Sequence, residues 1–80
     1  MPVVFRSGGL RFFFYSDEGT PREPPHIHVR QRGCEAKLWL RPGLPQAYNH
    51  GFNTRELRDI RQLIEANREQ IERAWNEFFD

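Results

Sequence analysis

From Val3 to Arg41 the chain alternates apolar and polar residues in short runs, the pattern of strands whose successive side chains point to opposite faces. Val3-Val4-Phe5-Arg6 reads as a first strand. Ser7-Gly8-Gly9 reads as the turn that ends it, because consecutive glycines supply the positive φ of a tight hairpin. Leu10 to Ser16 reads as a second strand, with Leu10, Phe12 and Phe14 on one face and Arg11, Phe13 and Tyr15 on the other. Asp17 to Pro25 holds three prolines and a glycine, so it is expected to be a loop, with Pro24-Pro25 keeping the chain extended up to His26. His26 to Gln31 reads as a third strand and Cys34 to Arg41 as a fourth, joined by the turn Arg32-Gly33. Gln46 to Asn49 has room for a short edge strand only, since Pro45 bars a long central one.

After Phe52 the period changes. Residues 53–80 contain neither Pro nor Gly, and their apolar stripe runs Leu57, Ile60, Leu63, Ile64, then Ile71, Ala74, Trp75, Phe78. Asn53 followed three residues on by Glu56 is a capping box, and Phe52 with Leu57 occupies the positions of a hydrophobic staple. Asn67 with Gln70 repeats the capping signal. The favoured reading is therefore two helices, about 54–66 and 68–79. The rival is one continuous helix about 39 Å long, which would overhang strands of roughly 20 Å and need a partner chain.

The helices need an apolar floor, and Leu10, Phe12, Phe14, Ile27, Val29, Ala36, Leu38 and Leu40 supply it. The expected fold is one α+β domain spanning residues 1–80: a four-stranded antiparallel sheet of two β-hairpins, then two C-terminal helices on one face. The other face then carries Arg11, Phe13, Tyr15, His26, His28, Arg30, Lys37, Trp39 and Arg41.

Composition narrows the function classes. The 12 basic against 11 acidic residues give a net charge of +1, too balanced to announce a nucleic-acid binder. Lys37 is the only lysine; the other eleven cations are arginines, which suit planar recognition of carboxylate and phosphate. No stretch approaches the ~18 apolar residues of a membrane span, and Met1 to Arg6 lacks the pattern of a signal peptide. One cysteine, Cys34, makes no internal disulfide and lies on the expected core face. A reducing cytoplasm is the expected compartment.

Three readings of the leftover face are open. It binds a protein through Tyr15 and Trp39 as anchors, with Phe13, Arg11 and Lys37 around them. It binds RNA, rings stacking on bases and arginines holding phosphates. Or it is covered by the loop 17–25 and the segment 44–52. The His26-x-His28 pair adds its own alternatives. Two residues apart on a strand, the imidazoles leave one face and can converge on a divalent metal, with His50, Glu23, Asp17 or Glu18 as a further ligand. They can equally act as base and acid while Arg30, with Arg22 nearby, steadies a phosphate, the logic of a metal-independent ribonuclease. The plainer reading has both rings bonded to backbone or to loop carboxylates. No cofactor is otherwise indicated, and a homodimer is a further expectation.

The runs Phe12 to Ser16, Pro24-Pro25-His26-Ile27-His28-Val29, Glu35-Ala36-Lys37, Asn49 to Phe52, Arg55-Glu56-Leu57 and Asn67 to Asn76 together resemble a family of small bacterial proteins known as domain of unknown function 4160. The resemblance covers essentially the whole chain, and Pro-Pro-His-x-His is its most specific part. It implies a cytoplasmic bacterial protein encoded beside a second small protein, a pairing of the toxin–antitoxin kind. It carries over no catalytic residue.

Overall fold

Gly8 and Gly9 take φ of +54° and +83°, a backbone that costs glycine nothing, and fold strand β1 (Val3–Ser7) back onto β2 (Leu10–Phe13). In the computed structural model, residues 3–16 and 23–79 are described. Asp17, Glu18 and Arg22, and most of the loop expected to cover the open face, lie outside them. Strands β3 (His26–Gln31), β4 (Cys34–Trp39) and β5 (Gln46–His50) continue an antiparallel meander in the order β1-β2-β3-β4-β5.

The sheet thus has five strands, not the expected four in two hairpins. Pro45 does not prevent the fifth, because the strand begins one residue after it. The Pro45 carbonyl accepts the Trp39 N–H at 2.9 Å, while its missing donor falls outside the ladder. Strand β2 stops at Phe13 rather than Ser16, yet Phe14 and Tyr15 keep their alternation: Phe14 enters the core and Tyr15 turns to the other side.

Helices α1 (Thr54–Ala66) and α2 (Arg68–Phe79) end the chain. The capping box forms as read: the Glu56 N–H donates to Asn53 Oδ1 at 2.8 Å, and the Asn53 N–H donates to Glu56 Oε1 at 2.9 Å. Asn67 stands directly before α2, its carbonyl accepting the Ile71 N–H at 3.0 Å, but its side chain does not cap that helix. With φ −118° and ψ 19° it is the C-cap of α1, its side-chain amide donating to the Leu63 carbonyl at 2.8 Å. A straight helix of about 39 Å would exceed the 33 Å long axis of the molecule.

The core lies between helices and sheet. Phe12, Phe14, Ile27, Val29, Ala36 and Leu38 from the sheet pack with Leu57, Ile60, Ile64, Ile71 and Trp75 from the helices. Phe52 joins them, so both staple positions, Phe52 and Leu57, are buried in this core. Cys34 packs against this cluster, half-buried, on the face expected for it. No helix among the described residues is long and apolar enough to cross a membrane.

Candidate functional site

Antiparallel pairing sets residues on facing strands side by side, so register turns the open face into cross-strand rows. The first row is Arg6, Arg11, Arg30, Glu35 and His50, one residue from each strand. The second is Phe13, His28, Lys37 and Tyr48. The third pairs His26 with Trp39, and Tyr15 lies over the middle of the face, its ring 4.5 Å from that of His28.

The sequence placed these side chains on the correct face but not at the correct depth. Phe13, His26 and His28 are exposed by 0%, 0% and 1%, so Phe13 is core rather than a surface anchor. Its ring stacks on His28 at 5.5 Å and meets Tyr15 edge-on at 5.1 Å. His26 is wedged between Trp39 at 5.5 Å and Trp75 of α2 at 4.9 Å. The two imidazoles stand 5.2 Å apart at nearly a right angle.

Hydrogen bonds assign the ring protons. Nδ1 of His26 lies 3.0 Å from the Pro24 carbonyl, which only accepts, so Nδ1 donates. Tyr48 Oη is 2.7 Å from Glu35 Oε2 and 3.1 Å from His28 Nδ1. The hydroxyl has one proton and gives it to the carboxylate, so His28 Nδ1 donates to the hydroxyl oxygen. In the neutral ring the basic nitrogen of each histidine is then Nε2. Tyr15 Oη donates to the same carboxylate at 3.0 and 3.2 Å. His28 Nδ1 and Arg30 Nε approach Glu35 only to 3.8 and 3.9 Å.

Glu35 and Tyr48 belong to this candidate site and were not among the site residues read from the sequence. Glu35 shares a strand face with Lys37 and Trp39, a signal that was available. Tyr48 reaches His28 only because β5 pairs with β4. Lys37 forms an ion pair with Glu23 at 2.9 Å and lies 4.7 Å from the Trp39 ring centre. The Arg41 guanidinium lies 5.4 Å from the same ring. Trp39 and Tyr15 are half-buried; Arg30 is exposed and Arg11 half-buried.

The three histidines considered for a metal do not meet. His50 is exposed at the end of β5, next to Tyr48 rather than to His26. Among the described residues no group of three or more His, Cys, Asp or Glu side chains is placed to hold one ion. What the face does hold is an arginine row at one end, a hydrogen-bonded Tyr-Glu-Tyr-His cluster in the middle and a cation-flanked tryptophan at the other end.

No curated protein and no solved structure matches this chain. A family model does match, over residues 9–76, a span that includes both histidines, Glu35, Trp39, Tyr48 and most of both helices. The chain belongs to the family described as Domain of unknown function (DUF4160).

Proposed function

We propose that this protein is the partner-binding component of a small cytoplasmic bacterial two-protein module of the toxin–antitoxin kind. It takes its partner on the sheet face opposite the main core, at the half-buried Trp39 end. The observation that supports this is the setting of Trp39, half-buried, held edge-on by His26 at 5.5 Å and flanked by Lys37 and Arg41. A large ring whose conformation is already restricted loses little entropy on binding, and Trp, Tyr and Arg are the residues that carry most interface energy. Tyr15 lies on the same face and adds a second ring.

The test is co-purification with the protein encoded beside it, followed by titration of the two. Trp39→Ala should weaken binding by at least ~2 kcal/mol, about thirtyfold. Trp39→Phe should retain part of that loss, and both variants should melt cooperatively. An unchanged dissociation constant in a folded Trp39→Ala protein would remove the Trp39 end from the interface.

A second reading has its own support. The Glu35–Tyr48–His28 chain orients an imidazole with Nε2 as its basic nitrogen, as a general base requires. Burial of both rings means that a ribonuclease working through them has to open the face to its substrate first.

A further inference from the structure

The arginine row lies at the far end of the face, about 14 Å along β4 from Trp39 at 3.4 Å per residue. It includes Arg11, which is therefore not beside Trp39 as the partner-binding reading expected, so an interface at the Trp39 end leaves the row unused. Arg6 faces Arg11 across β1 and β2, and Arg11 faces Arg30 across β2 and β3. With strands about 4.8 Å apart, three guanidinium groups share a width of about 10 Å. Like charges set directly opposite destabilise a sheet. Nothing among the described residues offsets them: Arg6, Arg11 and Arg32 have no carboxylate within ion-pair distance, and Arg30 has only the 3.9 Å approach to Glu35. That carboxylate already accepts from two tyrosines.

The row borders a built mouth. The β1–β2 and β3–β4 turns lie at the same end of the sheet and enclose a depression of about 390 Å³ whose walls include Arg6, Arg11, Arg30 and Arg32. Gln31 ties the two turns together, its Nε2 donating to the Gly8 carbonyl at 3.0 Å. Gly9 is packed so closely that a Cβ there would meet Gln31 Nε2 at 2.8 Å. Arg32 sits in the turn at φ +56°, where glycine or asparagine would be relaxed.

We infer that this mouth is a phosphate-binding site that takes the phosphodiester backbone of nucleic acid. Arginine forks match phosphate oxygens two at a time. A protein partner is the poorer fit, because a stable interface needs an apolar core of well-packed rings, and Leu10 is the only large apolar side chain in the mouth, half-buried. Phosphate contacts need no such core, since release of counterions supplies the affinity.

The experiment is binding of fluorescent oligouridylate to the full chain over about 50 to 200 mM salt. The wild type should bind with an affinity that falls linearly on a log–log plot. Arg6→Gln/Arg11→Gln should weaken binding at least tenfold at the lowest salt. It should also reduce the slope by about 1.4, at roughly 0.7 per lost contact to a single strand. Relief of like-charge repulsion should leave its melting temperature equal or higher. Arg30→Gln/Arg32→Gln, from the other turn, should reproduce the loss should the first pair fail to fold. Arg55→Gln/Arg58→Gln, two exposed cations of α1, should change nothing beyond a small non-specific effect. The site is overturned by no binding at the lowest salt, or by an equal loss in the α1 variant. Polyglutamate binding as tightly as the RNA would overturn it too, making the mouth an acidic-protein surface instead.

Discussion

Tyr48 gives its proton to Glu35 and receives one from His28, so a single hydroxyl joins a half-buried carboxylate to a buried imidazole. Removing it leaves a buried donor facing a carboxylate 3.8 Å away. A donor stranded in this way costs about 1–3 kcal/mol. Tyr48→Phe should therefore lower stability by that amount in urea denaturation, with an unchanged m-value; equal midpoints would mean that the cluster contributes nothing. At this scale the sequence was half legible. Period-two alternation put His26 and His28 on one face with Tyr15 and Trp39, because that period is a property of the strand backbone. It said nothing about depth. Depth depends on what stacks above, and here that is Trp39 of β4, Trp75 of α2 and Tyr48 of β5.

Turns and caps act at the scale of the element. Gly51, between β5 and α1, has φ +108°, and a Cβ there would meet Cys34 Sγ at 2.7 Å and its Cα at 3.5 Å. Gly33 has no positive φ and open space around it. Gly51→Ala should destabilise by more than ~1 kcal/mol, from strain and overlap together. Gly33→Ala should be neutral or stabilising by up to about 1 kcal/mol, through the unfolded chain. Paired thermal melts would separate them, and similar shifts would contradict the packing of Gly51 on Cys34. At the first residue of α2, Arg68 donates from Nε to Glu65 at 3.0 Å and from Nη1 to Glu72 at 3.3 Å. The Glu65 hydrogen bond raises the guanidinium above its ordinary pKa, against a smaller opposing effect of burial. Arg68 stays charged over the working range, and its two ion pairs, in which the glutamates are exposed, add little stability. The Asn53–Glu56 box was legible because its residues are three apart and need no tertiary help. Asn67 marked the start of α2 correctly, but its side chain bonds back to α1 rather than forward, because an asparagine amide can accept or donate and only the backbone around it selects which.

For the whole molecule, a chain this small buries only about 60% of its unfolded surface, so its two buried histidines serve stability as well as any chemistry. A His26→Ala/His28→Ala variant would leave cavities where the two buried rings stood and lower abundance. His28→Gln keeps the volume and a donor, and it is the better probe. The toxin–antitoxin proposal predicts that expression of the wild type alone slows bacterial growth and that co-expression of the neighbouring protein restores it. Rescue by the partner together with undiminished arrest by a folded His28→Gln protein would favour binding over acid–base chemistry. Arrest that vanishes with His28→Gln, at equal abundance, would favour the ribonuclease reading. Normal growth in every case would remove the toxin role and leave the protein as the binding partner of one.

The sequence alone determined where the strands and helices begin, which face of each strand meets the helices and how α1 begins, though not where β2 and β4 end. Those features follow from backbone periodicity and hydrogen bonds between residues a few positions apart. Tertiary structure alone decided that the short edge strand allowed at Gln46 to Asn49 does pair with β4, that Phe13 and both histidines are buried, and that Tyr48 closes on Glu35 and His28. It also aligned Arg6, Arg11 and Arg30 in one row. Each of these depends on strand register, which is set by which residues on distant strands face each other; no stretch of sequence contains that information by itself.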